Sequence, residues 1–399
     1  MSTCPAAAPL FSMVRQSKLD PPREFAEWRA DHPLQRVTLW NGQEAWAAVG
    51  YDAVREVLRD HEHFSSVPET SGYPTYSETD KATKQSGLLT MVDPPVHTVL
   101  RKAVLGEFIV KAIEALRPDT ELLVDELLDA MEQSGSPADL VEALAVQVPA
   151  RFTCRLLGAP WADAELFRRC LGTRLGSTSG TEAIHDAEAV LLEYFTEMVA
   201  DRDRAPRDDL TSRLVVDHVQ TGELTHEDAA RLLHILLIGG FDTTKSMISV
   251  GTVILLSRPD RLAALRADPS RWRDAIEELL RHISVIQVIR RVCTADTRLA
   301  GQDVAAGDGV LVVLSAANRD EAVFDRPDEL DTENKSLRHI AFGTGTHQCI
   351  GQPAARLILQ VVYPRLFERF PNLHLVEPAE DLKLRADRLI ALDELMVSW

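Results

Sequence analysis

Phe342-Gly343-Thr344-Gly345-Thr346-His347-Gln348-Cys349-Ile350-Gly351 is the stretch from which the rest of this 399-residue chain can be read. Two glycines precede a single cysteine and a third follows it. Beyond it, Ala354, Leu357, Ile358, Val361 and Val362 recur at helical spacing. Cys349 therefore sits where a glycine loop becomes a helix, beside unpaired backbone N–H groups and the positive end of a helix dipole. Such a position is expected to lower a thiol's pKa and favour thiolate. The glycines let the backbone approach a flat object, or wrap the sulfur, without Cβ clashes.

No second cysteine lies near enough to suggest zinc, which takes about four ligands. A haem iron needs one axial ligand, and a cysteine thiolate in that position favours O–O cleavage. With Phe342, both glycines, His347, Cys349 and Gly351 at their spacing, the segment resembles the haem-binding signature of the cytochrome P450 superfamily. The resemblance implies that Cys349 ligates iron and that Phe342, Gly343, His347 and Gly351 surround haem b. It also implies a mainly α fold with small β-sheets, a single domain over residues 1–399, and haem held between a long central helix and the helix after the cysteine.

Composition narrows the setting. Asp and Glu number 61 against 43 Lys and Arg, a net charge of −18. That balance argues against nucleic acid and against anionic membrane surfaces as partners. No apolar run reaches the roughly 18 residues of a membrane span. Residues 1–10 have neither a basic patch nor a long apolar region, so no secretory leader is expected. The five cysteines show no paired spacing, which fits a reducing compartment. A soluble, cytoplasmic protein of the bacterial type is the expectation. An acidic electron donor would need a local basic patch, for which Lys102, Arg338 and Arg356 are candidates.

Along the chain, residues 22–31 read as a short helix. Val37-Thr38-Leu39-Trp40, Asn41-Gly42 and residues 43–49 read as a hairpin, the Asn-Gly pair suiting a type I′ turn. Residues 65–86, rich in Ser, Thr, Gly, Pro and Tyr, read as a long loop of the kind that serves as a lid. His97 and Arg101 follow Asp93-Pro94-Pro95 and share one helical face; the resemblance implies that they hold a haem propionate. Residues 117–133, 139–157, 162–171, 181–203 and 208–219 read as amphipathic helices, with a break at 176–180.

The central helix is predicted from Thr225 to about Leu256, opened by Thr225-x-x-Asp228, a capping box with Asp in place of Glu or Gln. Its middle, Gly239-Gly240-Phe241-Asp242-Thr243-Thr244, holds poor helix formers and an acid among apolar residues. A local distortion kept for function is the expectation. The stretch resembles the family's oxygen-binding motif, in which the acid and the threonine, here Asp242 and Thr243, deliver protons during dioxygen activation. Glu278 and Arg281 match the family's structural Glu-x-x-Arg. The second arginine that usually completes it is replaced by Asn334, a departure that puts the three-member network in doubt. Ser284-Val285-Ile286-Gln287-Val288-Ile289 reads as β-type chain; Arg291-Val292-Cys293-Thr294-Ala295-Asp296 resembles the family's propionate-binding strand, which implies that role for Arg291 rather than Arg290. Pro364 falls inside the last long helix and is expected to kink it.

The resemblance implies a haem-thiolate monooxygenase that puts one oxygen atom of dioxygen into a small apolar or aromatic substrate, with electrons from a ferredoxin and its reductase. The pocket would be lined by Leu88, Leu89, Ile235, Ile238, Gly239, Ile286, Val288, Ile289, Leu389 and Ile390, mostly apolar side chains. A nitric oxide reductase and a peroxide-driven peroxygenase of the same superfamily stay open as alternatives, as does a haem-binding protein without enzymatic activity.

Overall fold

The computed structural model describes residues 8–75, 87–175, 180–333, 338–386 and 389–399. The fold is mainly α with small sheets, as the resemblance implied. Its spine is the helix His226–Leu256, about 46 Å long at 1.5 Å per residue. The predicted capping box is formed: the Thr225 side chain accepts from the Asp228 N–H, and the Asp228 side chain accepts from the Thr225 N–H. Helices Gln147–Leu157, Thr181–Arg204 and Gln352–Arg369 pack around this spine, as does strand Ile390–Leu392. Burial of nearly every residue from Phe241 to Leu255 supplies what the weak helix formers lack in propensity.

The predicted distortion at Gly239-Gly240 does not take the form of a break, since the chain stays α-helical from His226 to Leu256. The helix after Cys349, Gln352–Arg369, likewise runs through Pro364. Just before that proline, Tyr363 donates from its hydroxyl to the Met247 carbonyl of the central helix.

A five-stranded sheet forms the second lobe, in the order Leu34–Thr38, Glu44–Ala48, Gly309–Val313, Val288–Cys293, Phe64–Ser65. Glu44–Ala48 runs parallel to Gly309–Val313, and the other neighbours are antiparallel. Side chains alternate across it. Ala45, Ala47, Leu311 and Val313 pack with Phe11 and Phe25, whereas Trp46, Ala48, Val310 and Val312 pack with Leu58, Phe64 and Phe324.

The hairpin turn is not type I′. Gly42 has φ +83°, while Asn41 keeps a negative φ. Gly42 N–H donates to the Leu39 carbonyl and Leu39 N–H to the Gln43 carbonyl, a type I turn closed by a glycine bulge. Ser284–Gln287 is not strand either. Ser284 is a left-handed C-cap at φ 46°, and the strand starts at Val288. Residues 76–86 of the predicted lid, 176–179 of the predicted break, and Asn334 lie outside the described residues. Among the described residues, no helix is long and apolar enough to cross a membrane.

Candidate active site

The cysteine loop is held by its own backbone. Cys349 N–H donates to the Phe342 carbonyl at 2.9 Å, Gly343 N–H to Ile340 at 2.8 Å, and Gln348 N–H to Gly345 at 3.1 Å. Gly343 and Gly345 have φ of +67° and +73°, a conformation other residues adopt only under strain. A Cβ on Gly345 would also run into the Leu58 carbonyl, so this loop is fitted against the end of helix Tyr51–Arg59. Cys349 is a free thiol that keeps accessible surface although protein atoms crowd around it and displace bulk solvent. Arg356, in the helix that follows, lies 4.7 Å over the Phe342 ring.

The thiol does not behave as predicted. Burial raises its pKa, against the N–H groups of Gly351 and Gln352 and the positive charges of Arg101 and Arg356, which pull the other way. The helix terminus is present, but desolvation by the surrounding protein outweighs it. A metal cation can displace the proton directly, and coordination deprotonates a thiol outright.

The sheet and the Val96–Leu105 helix bring the remaining predicted residues to this loop. Strand Val288–Cys293 places Arg291 opposite Val310, and its neighbour Val292 opposite Ser65. Arg291 is buried and donates to the Arg290 carbonyl at 2.7 Å. Asp93 accepts from the Ser66 N–H at 2.9 Å and from the Ser65 hydroxyl at 2.5 Å. The Ser66 hydroxyl so placed shares a hydrogen bond with His347 Nε2 at 3.1 Å. The His97 and His347 rings lie 4.2 Å apart.

Both imidazoles are held neutral. Burial, then Arg101, brings His97 down to about 4; burial, then Arg291 and His97, brings His347 down to about 2. His97 is buried, and neither of its ring nitrogens has a hydrogen-bond partner among the described residues. Orphaned nitrogens beside Arg101 and Arg291 call for an anion that accepts hydrogen bonds. Haem carries two propionates, so these residues and the loop of Cys349 fit that group: thiol on one side, cationic donors at the edge.

The central helix, against which the helix after Cys349 packs, carries the remaining predicted residues. Gly239 is exposed, and Ile235, Gly240 and Thr243 are partly so, in a helix whose neighbours Leu237, Phe241, Asp242 and Thr244 are buried. Ile235, Gly239 and Thr243 are four apart, so they form one accessible stripe on an otherwise buried stretch of helix. The Thr243 hydroxyl donates to the Gly239 carbonyl at 2.7 Å. Asp242 is buried and lies 3.7 Å from the ammonium of Lys245, one turn on.

Around that face, turn Leu89–Met91 and strand Ile390–Leu392 pack on the central helix. Ile286 pairs with Leu389, and Ile390 N–H donates to Val285, so both segments stay together. Leu88, Leu89, Ile238, Leu389 and Ile390 are buried; Ile286 and Ile289 are partly so. Val288 is a correction: its side chain packs with Phe11, Phe25 and Leu311 on the other face of the sheet, as alternation along a strand requires.

Glu278 and Arg281 form a fully buried bidentate pair, both contacts 2.7 Å. The other Arg281 donors reach the carbonyls of Asn318, Pro327 and Glu329, and Glu278 also accepts from the Asp331 N–H. All five guanidinium donors are thereby used. Arg356, a candidate for a docking patch, is instead committed inward, making a bidentate pair with Glu277, which His339 also contacts at 2.9 Å. The reading of the sequence missed Lys245, Ser66 and Glu277. Only Lys245, three residues after Asp242, carried a local signal.

Comparisons with known proteins agree with this geometry. Residues 177–389 match the family model described as Cytochrome P450. The chain is 37% identical to pentalenic acid synthase of Streptomyces avermitilis, over 100% of this chain and 99% of that one. It is 38% identical to vitamin D3 dihydroxylase of Streptomyces griseolus, over 98% and 97%. Among solved structures it is similar to cytochrome P450 MoxA from Nonomuraea recticatena, at TM-score 0.90 and 36% identity, covering 98% of each chain. It is similar also to mycinamicin VIII C21 methyl hydroxylase from Micromonospora griseorubida bound to mycinamicin VIII, at TM-score 0.91 and 32% identity, covering 98% of this chain and 100% of that one.

Proposed function

The chain belongs to the cytochrome P450 family of haem-thiolate oxidoreductases, and on that premise we propose that it inserts one oxygen atom of dioxygen into an apolar or aromatic organic molecule, with electrons from a ferredoxin-type donor. The observation that carries this reading is the open stripe Ile235, Gly239 and Thr243, with buried Asp242 at its border, on the helix against which the helix following Cys349 packs.

Haem b, held through Cys349, would supply dioxygen binding and reductive O–O cleavage. The chain supplies the rest. Cys349 would hold the iron through its sulfur, and Arg101, Arg291, His97 and His347 would receive the propionates. Thr243 holds a hydroxyl on the open face of the helix, where it can release the Gly239 carbonyl and hydrogen-bond a substrate-side water. Asp242 stands at the border of that face and moves protons toward the hydroxyl. Leu88, Leu89, Ile235, Ile286, Ile289, Leu389 and Ile390 offer an apolar lining that excludes bulk water and favours an apolar guest. The relatives named a pentalenic acid synthase, a vitamin D3 dihydroxylase and a mycinamicin VIII C21 methyl hydroxylase support an organic small molecule as the substrate.

The test is turnover of reconstituted protein with nicotinamide, ferredoxin reductase, ferredoxin and labelled dioxygen, on compounds selected by the spectral shift they cause at the haem. Label in the product supports the reading. Turnover with peroxide alone, or nitric oxide consumption with nicotinamide alone, would overturn it. In the same preparations, Cys349→Ala should lose the red-shifted Soret band of the reduced carbon monoxide complex.

A further inference from the structure

The amino-terminal segment is laid across both lobes. Phe11 packs in an apolar core of the five-stranded sheet, and Leu19 packs against the core of the helical lobe. Between them stands Arg15, half-buried. One arm of its guanidinium serves the segment itself, Nη1 donating to the Asp20 carbonyl at 2.9 Å and to the Lys18 carbonyl at 3.4 Å. The other arm reaches 272 positions along the chain, where Nη2 donates to Oε1 of Gln287 at 2.5 Å. Two further ties hold the segment in place. Lys18 donates to the Leu382 carbonyl at 2.8 Å, just before the antiparallel pair Leu384–Ala386 and Ile390–Leu392. Asp20 lies 3.6 Å from Arg319, which in turn donates to the His282 carbonyl near the end of helix Trp272–Ile283.

Gln287 is fully buried and closes a turn. Its Nε2 donates to the Ile283 carbonyl at 3.3 Å and to the Ser284 carbonyl. Ile286, inside that turn, pairs with Leu389, and the Val285 carbonyl accepts from the Ile390 N–H at 3.1 Å. The turn and the last antiparallel pair are thus coupled through their backbones. A buried amide oxygen that loses its donor is costly, and a charged donor holds it more strongly than a neutral one. The turn is therefore best placed where Gln287 meets Arg15, and Phe11 and Leu19 fix where that meeting occurs.

We propose that Arg15 is a positioning residue for substrate selectivity: through Gln287 it sets the place of Ile286, and through the pairing of Ile286 with Leu389 that of the facing segment. The proposal rests on the reading of Ile286 and Leu389 as pocket lining. Without the guanidinium, the turn loses its outer tie, and the wall made by Ile286 and Leu389 yields to a bulky guest.

The experiment uses the full-length holoenzyme and the variants Arg15→Leu, Gln287→Leu, their double variant and Ile286→Ala. Each is first checked for haem content and the reduced carbon monoxide spectrum. The first readout is amide hydrogen exchange without any ligand. Arg15→Leu should speed exchange about tenfold in peptides covering 283–289 and 389–392, and leave 226–256 and 342–351 as in wild type. The second readout is the affinity of two probes that bind the haem iron, imidazole and phenylimidazole, each titrated by its spectral shift. Imidazole, too small to meet the wall, should bind as in wild type. The affinity for phenylimidazole should change several-fold in Arg15→Leu, and also in Ile286→Ala, which alters the wall directly. Gln287→Leu should reproduce the effect of Arg15→Leu, and the double variant should go little further.

Unmoved exchange in Arg15→Leu, or an unchanged ratio of the two affinities there beside a changed one in Ile286→Ala, overturns the proposal alone. Full additivity in the double variant overturns it too, because the route through Gln287 would be absent. An unchanged ratio in Ile286→Ala removes the reading of the lining and the proposal with it.

Discussion

Tyr363 donates its hydroxyl hydrogen to the Met247 carbonyl, and so ties the helix that follows Cys349 to the helix that carries Thr243. The carbonyl is offered beside Gly251, where a Cβ would overlap the Tyr363 hydroxyl and come within 2.9 Å of its ring carbon. The two walls of the site are therefore registered by one buried oxygen and one missing methyl group.

Tyr363→Phe should cost about 1 kcal/mol, the net worth of one neutral hydrogen bond. Gly251→Ala should cost more, about 1–3 kcal/mol, because the extra carbon overpacks a close contact. In the double variant the alanine should cost less than it does alone, since the hydroxyl it strikes is gone. Thermal unfolding of the four proteins checks this, and strict additivity would contradict the contact.

Thr243→Ala should retain haem and the substrate-induced spectral shift. It should send reducing equivalents into hydrogen peroxide in place of product, because the hydroxyl now bonded to the Gly239 carbonyl is a donor on the open face. Asp242→Asn should slow turnover with less effect on binding. Product, peroxide and nicotinamide measured together separate the two.

Glu278→Gln should destabilise the protein by about 3–5 kcal/mol, the usual cost of removing one partner of a buried pair. The pair is saturated by the Asn318, Pro327 and Glu329 carbonyls and the Asp331 N–H. Asn334→Arg, which would restore the family's usual residue, is accordingly expected to leave the thermal rate of haem loss nearly unchanged. A clearly slower loss would show that the network lacks a donor.

Acid should expose Glu277. Burial acts to raise its pKa, but hydrogen bonds from His339 and Arg356 prevail and bring it to about 2. A depressed carboxylate contributes stability that is complete above its unfolded pKa, near 4.5. That stability, about 3 kcal/mol at about 1.4 kcal/mol per unit, is lost as pH falls from there toward 2. The stability advantage of wild type over Glu277→Gln should therefore shrink below about pH 4.5 in denaturant melts taken across that range.

Much of the site was legible because its signals are local. Gly343, Gly345 and Cys349 sit in one loop; Asp242 and Thr243 are adjacent; Glu278 and Arg281 are one turn apart. Readings failed where the deciding partner is distant in sequence. The Cys349 thiol was expected to be lowered by its helix terminus, but burial by other elements raises it. Arg356 looks like a surface cation until Glu277, 79 positions away, is seen to hold it. Val288 and Ile289 belong to one apolar run, and only the strand's pleat sends them to opposite faces. At the hairpin the Asn-Gly pair marked the place of the turn, while its type followed from a bulge that the flanking strands require.

Arg281 spends three of its five donors on main-chain oxygens, those of Asn318, Pro327 and Glu329. What it recognises there is the course of the chain and not the identity of the side chains along it. Where the carbonyl belongs to an exposed residue, as at Glu329, the segment leading to the cysteine loop can thus exchange that side chain without losing its path. A mutational scan of Glu329 should find wide tolerance, next to an arginine at 281 that does not bear replacement.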